Sequence, residues 1–128
     1  MNKEKFDKKQ KAIIVSVAIE IDEIAGELDF IVDTGSPETL ISDKAMRLMG
    51  CTPVNSFDDV PIQTVSGGAT AYRYMIDNIS ALGVSRQNLK ILSLPMPSGS
   101  GAHGLLGLDF FENTRLTIDF KTEEIIVE

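Results

Sequence analysis

Between Ile13 and Ile21 every odd position is apolar (Ile13, Val15, Val17, Ile19, Ile21), with Ser16, Ala18 and Glu20 set between them. A period of two predicts a strand with one face in a core. Residues 22–26 read as a turn. Leu28, Phe30 and Val32 then form the inward face of a returning strand, with Glu27 and Asp29 outward. That strand runs straight into Asp33, Thr34, Gly35 and Ser36, so a buried segment delivers one carboxylate into a tight turn.

Further along, Thr39, Leu40 and Ile41 suggest a short strand, and Ser42 is placed to cap a helix over residues 43–49 that Gly50 stops. Residues 51–59 form a polar connector. Residues 60–65 and 69–76 flank Ser66, Gly67 and Gly68, the pattern of a hairpin with a glycine turn. Residues 79–83 and 89–94 read as two more strands with a turn at 84–88. The stretch 95–102, with Pro97, Ser98, Gly99 and Ser100, is incompatible with regular structure. Leu105 and Leu106 predict a strand, residues 108–112 a short helix, and Leu116, Ile118 and Phe120 one arm of a hairpin whose other arm carries Ile125, Ile126 and Val127. A strand at 124–128 is an open edge unless something covers it.

A chain of 128 residues is one domain able to bury its own core. Residues 1–10 are polar and mostly basic and read as a flexible tail ahead of a single domain at 11–128, with an arm lying on the acidic body or on a partner as the other option. The formal charge of −7 argues against a nucleic-acid partner, which needs a basic face. Cys51 is alone, so no intrachain disulfide forms, and a reducing, cytoplasmic setting is expected. Lys3, Lys5, Lys8, Lys9 and Lys11 precede an apolar run as in a signal peptide, but Glu20 and Asp22 end it early and no small-residue cleavage site follows. No stretch reaches membrane-spanning length, so no membrane partner is expected. Cys51 lacks a neighbouring His and reads as a small packed thiol rather than a nucleophile. His103, the sole histidine, lacks companion metal ligands and is expected to be solvated or hydrogen-bonded; no metal site is expected.

The carboxylate of Asp33 takes its chemistry from its surroundings, because burial raises its pKa, hydrogen bonds lower it, and a second carboxylate prevents both from ionising. Thr34 and Ser36 bring hydroxyl donors to either side, and Gly35 permits close backbone approach or positive φ. An Asp-Thr-Gly triplet arises by chance in roughly a few per cent of chains this long, so it needs support. Support comes from Gly104, Leu105, Leu106, Gly107, Leu108, Asp109, Phe110 and Phe111.

Together the two stretches, and the order of elements from about Ala12 onward, resemble the retropepsin-like aspartic proteases. The resemblance implies an all-β, partly closed retropepsin-like barrel with one or two short helices. It makes Asp33 the catalytic carboxylate, Thr34 the residue that locks two catalytic turns together, and Gly35 the structural glycine. The hairpin around Ser66, Gly67 and Gly68 would be a flap, those three residues with Ser36 and Tyr72 would contact substrate, and the loop at 95–102 would touch its side chains. Viral members commonly carry an acidic residue after the triplet paired with an arginine after the second glycine. Pro37 and Leu108 stand there, so the chain looks closer to cellular, non-viral members.

Such chemistry needs two facing carboxylates, one to take a proton from water and one to hydrogen-bond the substrate carbonyl. Only one Asp-Thr-Gly is present. A homodimer acting on a peptide or protein substrate is therefore implied, with an isologous interface near Asp33 and residues 124–128 pairing across the twofold axis. No cofactor is implied. Ser36 is expected to donate to an Asp33 oxygen and shift the working range towards acid. Two alternatives remain open: a non-catalytic peptide-binding or dimerisation module, and a one-chain acid pair using Asp109, whose expected role is otherwise capping or backbone bonding.

Overall fold

The computed structural model describes residues 2–96 and 101–128. In chain order its elements are β1 (Asn2–Lys5), β2 (Ile14–Ile21), β3 (Ile24–Val32), β4 (Leu40–Ser42), α1 (Asp43–Leu48), β5 (Asp58–Thr64), β6 (Gly67–Ala81), β7 (Val84–Leu94), β8 (Gly104–Leu106), β9 (Leu116–Asp119) and β10 (Glu124–Val127). One sheet runs β2-β3-β8-β4-β7-β6-β5, and a further pairing of β2 with β6 closes its first six strands into a barrel. Strand β5 hangs outside the ring on β6, and Pro61 lies in its middle. The second sheet is β1-β10-β9. Among the described residues the fold is all-β with one α-helix, a closed barrel of the kind expected from the sequence.

The alternation in β2 places Val15, Val17, Ile19 and Ile21 in the core, where they meet Phe30, Ile76, Ile79, Ile91 and Leu106. The β2–β3 turn is tighter than residues 22–26. Asp22 and Glu23 alone make it, with φ of 48° and 68°, the left-handed pair that matches the twist of a two-residue hairpin. Ser42 caps α1, its Oγ accepting from Ala45 N at 3.0 Å, and Gly50 ends it at φ 80°.

Two expected boundaries are absent. β6 is one strand of 15 residues, and its partner β7 begins at Val84, so the turn read at 84–88 is strand. The reversal falls at Leu82 and Gly83, with φ of 55° and 74°. The polar run at 84–88 lies on the outside of the barrel, and a left-handed Asn88 (φ 56°) roughens the strand without ending it. Residues 108–112 form successive turns rather than a helix, with Phe110 N donating to Gly107 O at 3.1 Å and Phe111 N to Leu108 O at 3.1 Å. The Arg86 guanidinium takes the carbonyls of Phe110 and Glu112, and Thr114 Oγ1 takes that of Phe111, so these acceptors are satisfied without a helical ladder.

The N-terminal segment departs most from expectation. Asn2–Lys5, read as part of a flexible tail, pairs antiparallel with β10, from Asn2↔Val127 to Lys5↔Glu124. Phe6 follows it into the core, its N donating to Glu123 O at 2.9 Å and its ring meeting Phe120 edge-on. The open edge at 124–128 is thereby covered within the chain, β10 being flanked by β1 on one side and β9 on the other. Within one chain β10 thus presents no vacant edge for the expected pairing across a twofold axis. Among the described residues no helix is long and apolar enough to cross a membrane.

Candidate active site

Strands β3 and β8 run parallel, with Phe30 opposite Gly104, Ile31 opposite Leu105 and Val32 opposite Leu106. This pairing sets the two sequence motifs side by side. It requires Gly104: a Cβ there would lie 2.4 Å from Leu40 O and 2.5 Å from Phe30 Cε2. At the end of β3, Asp33 N donates to Leu106 O at 2.9 Å, so the second motif fixes the backbone of the first.

Beyond that bond the chain turns. Gly35 N donates to Asp33 Oδ1 at 2.9 Å, and Ser36 N to Asp33 O at 3.2 Å. A Cβ on Gly35 would sit 3.2 Å from Asp33 Oδ1, so this glycine serves close approach. Asp33 is half-buried, while Thr34 and Gly35 are exposed. The Thr34 hydroxyl makes no hydrogen bond to the described residues. Ser36 Oγ donates to Glu38 O at 2.6 Å and not to Asp33, because the loop folds back and offers a backbone carbonyl first. The expected Ser36 to Asp33 bond is therefore replaced by one that braces the loop.

Asp109 is committed to structure. Its Oδ1 accepts from Thr39 Oγ1 at 2.7 Å and its Oδ2 from Thr39 N at 3.1 Å, while Thr39 Oγ1 also accepts from Gly107 N at 3.2 Å. This part-buried knot fastens the Asp33 loop to the segment after β8. Gly107 lets the two backbones touch: a Cβ would lie 2.5 Å from Glu38 O and 2.7 Å from Ser36 O. Leu108 N donates to Ser36 O at 2.8 Å, leaving the Leu108 side chain 51% exposed beside the turn.

A second link comes from β6. Arg73 reaches Glu38 and Asp58, each at 3.3 Å, and so joins the β5–β6 hairpin to the Asp33 loop. The hairpin reverses at Val65 and Ser66, one residue earlier than the glycine pair suggested, and Val65 is fully exposed at the tip. Gly67 opens β6 at φ 116°, its carbonyl accepting from Thr64 Oγ1 at 2.7 Å. Thr64, Val65, Ser66 and Gly68 line one side of a cleft of about 690 Å³ whose other side is Pro95 and Met96. Tyr72 is half-buried on the same strand, whereas Tyr74 is core. A separate cleft of about 380 Å³ adjoins Asp33, with Phe6, Ile13, Ile31, Val32 and Phe120 in its wall and Lys8 and Lys11 also lining it.

Of the remaining chemical groups, Cys51 is buried, and burial followed by the charge of Asp22 pushes its thiol pKa up, which keeps it protonated and unreactive. His103 is held by its main chain, N to Asp29 O at 2.7 Å and O from Ser42 N at 2.8 Å. Its Nδ1 is buried with no hydrogen-bond partner among the described residues, while the residue as a whole is half-exposed. Residues Pro97, Ser98, Gly99 and Ser100 of the expected substrate loop lie outside the described residues. Among the described residues no group of three His, Cys, Asp or Glu side chains could hold a metal. The sequence reading gave no site role to Glu38, Thr39 or Arg73, and it placed Gly104 at the head of the second motif without the close approach to Leu40 and Phe30 that requires it.

A family model described as aspartyl protease matches residues 17–110. No curated protein matches the sequence. Among solved structures, a retropepsin-like aspartic protease from Rickettsia conorii superposes with a TM-score of 0.71 at 15% sequence identity, covering 98% of this chain and 87% of that one.

Proposed function

This chain belongs to the aspartyl protease family, and from that premise we propose that it is a homodimeric aspartic endopeptidase, each copy supplying one Asp33. The observation that carries this reading is a half-site. One carboxylate is held by Gly35 N and lines a cleft, beside a Thr34 hydroxyl left without a partner among the described residues. Two such turns facing each other would place like charges close enough to share one proton. The ionised member takes a proton from a water lying between them, and the water attacks the scissile carbonyl while the protonated member donates to its oxygen. The tetrahedral diol collapses as a proton passes to the leaving nitrogen. The two Thr34 hydroxyls would bond across the axis and hold the turns in register.

In this reading the β5–β6 hairpin is the flap, with Ser66, Gly67, Gly68 and Tyr72 over an extended peptide whose backbone pairs as an added strand. Ser36 contributes to substrate contact through the loop it braces. A lone, buried, protonated Cys51 fits a cytoplasmic setting.

The test is cleavage of an unstructured protein over about pH 3 to 7, with and without a statine-type inhibitor. Inhibitor-sensitive cleavage that disappears in Asp33→Asn is expected. Undiminished cleavage by Asp33→Asn, or none by the native protein at any concentration, refutes it.

A further inference from the structure

Positive charge is gathered at one end of this chain. Residues 1–11 hold five of the twelve lysine and arginine side chains against only Glu4 and Asp7, a local +3, whereas the whole chain stands at −7, so the rest of the body carries −10. The fold brings part of this basic segment beside Asp33. Phe6 is buried, with its N donating to Glu123 O at 2.9 Å, and Ile13 O accepts at 2.8 Å from the N of Val32, the residue before Asp33. Between these fixed points the backbone is folded into a turn, Lys9 N donating to Asp7 Oδ1 at 2.9 Å and Gln10 N to Asp7 O at 3.1 Å. Lys8 and Lys11, held in that way, line the same cleft of about 380 Å³ that Asp33 lines.

The two lysines are not used elsewhere. Lys3 reaches Glu124 at 3.9 Å and Lys5 Nζ donates to Thr122 O at 2.8 Å, but Lys8 and Lys11 are exposed and stand in no ion pair among the described residues. Asp7 is the opposing charge in the cleft wall, with one of its oxygens taken by Lys9 N in its own turn. Phe6, Ile13, Ile31, Val32 and Phe120 supply the apolar part of the wall. A cleft with an apolar wall and free ammonium groups suits a side chain with an aliphatic stem and an anionic tip.

We propose that Lys8 and Lys11 make this cleft a subsite for an acidic side chain, so that the chain selects peptides carrying Glu or Asp close to the bond presented to Asp33. The inference rests on the peptidase reading above and gives it a substrate class. Charge complementarity names the occupant: the strongly acidic body repels an acidic peptide, and the basic rim beside Asp33 is where such a peptide is drawn in. A peptide with Lys at the same position meets like charge and is rejected. Exposed ion pairs are individually weak, so two ammonium groups give a preference of about three- to tenfold for Glu over the uncharged isostere Gln.

The test remakes a peptide that the native protein cuts, with Glu, Gln or Lys in turn at each position flanking the cut. Values of kcat/KM are compared in low salt at about pH 6, where a peptide Glu is ionised. The order Glu, Gln, Lys is expected at one or more positions, with the Glu-to-Gln ratio shrinking towards one in about 0.5 M salt. Each ratio is taken within one preparation, so the amount of folded protein cancels. The Lys8→Gln, Lys11→Gln double variant should bring the ratio to about one, and Lys8→Glu with Lys11→Glu should reverse the order in favour of Lys. Equal rates on all three peptides, or a Glu preference that survives both double variants, overturns the proposal. A fluorescent statine peptide carrying Glu or Gln gives the same comparison without turnover, its affinity for the native protein and both double variants being read by anisotropy. Binding that favours Glu and depends on the two lysines, with no peptide cleaved, leaves the subsite standing and refutes the protease reading. Cleavage indifferent to charge does the reverse, and failure to bind either statine peptide overturns the subsite.

Discussion

Replacing Thr39 by Val removes one hydroxyl while keeping the shape of the side chain. Thr39 is fully buried, and its Oγ1 both donates to Asp109 Oδ1 at 2.7 Å and accepts from Gly107 N at 3.2 Å. A hydrogen bond to a charged group contributes about 1.5–3 kcal/mol, and a buried donor left unpaired costs about 1–3 kcal/mol. Asp109 is only partly buried, so water recovers some of the first loss, and the sum is about 2–4 kcal/mol. Stability of a domain this size is on the order of 5–15 kcal/mol, so the change is large. Urea unfolding should show a lower midpoint at unchanged slope, which separates lost stability from a changed unfolded state. Asp109→Asn should cost less, about 1–2 kcal/mol, because its amide oxygen still accepts from Thr39 N. If cleavage is established, Asp109→Asn should keep kcat within about threefold, since no proton transfer is assigned to it. A Thr39→Val cost below about 0.5 kcal/mol would refute the knot as a structural element. A kcat for Asp109→Asn lower by several orders of magnitude would instead make Asp109 an acid of the reaction.

Arg73→Met should cost at most about 1 kcal/mol in stability, because both its carboxylate partners are well exposed to water. Yet it frees the β5–β6 hairpin from the Asp33 loop, so KM for a peptide should rise several-fold with kcat less affected; Glu38→Gln should act in the same direction, and an unchanged KM in both would remove Arg73 from the site. Ser36→Ala should leave the acid limb of the pH–rate profile where it is, since the hydroxyl serves Glu38 O, and should cost about 0.5–1.5 kcal/mol in stability; movement of that limb would mean the hydroxyl reaches Asp33 after all. Asp119 is held below its ordinary 3.8 by backbone N–H donation from Thr122 and then Lys121. A depressed carboxylate contributes stability that is present above the unfolded value and is lost as pH falls through the folded one. Asp119→Asn should therefore melt lower than the native protein at neutral pH, with the gap closing as acid protonates the folded carboxylate; a gap independent of pH would exclude the charge as its cause.

Whatever depends on local pattern was readable in advance. Alternation marked β2, the cap and stop around α1 were in place at Ser42 and Gly50, and Asp33 closing an apolar strand marked the turn. Misreadings fell where a distant partner decides the outcome. The polar run 84–88 resembles a turn, but β6 supplies a long neighbour that keeps it extended. The lysine-rich start resembles a tail, but β10 offers an unpaired edge and Phe6 a buried anchor. Arg73 could not be selected, because an arginine in a strand becomes a strut only when Glu38 and Asp58 are brought to it from elsewhere in the chain. Ser36 shows the same limit at short range: a hydroxyl beside a carboxylate was read as its donor, and a backbone carbonyl two residues on claimed it.

Among the described residues strand β5 forms the outer rim of its sheet, paired only to β6. An unprotected rim of this kind invites stray chains to add to it and seeds aggregation. Pro61 interrupts the row of donors at its centre, and Asp58 and Asp59 place charge at its start. A visiting chain therefore meets a ladder with a missing rung, and the hairpin can stand clear of the barrel without becoming a template for growth.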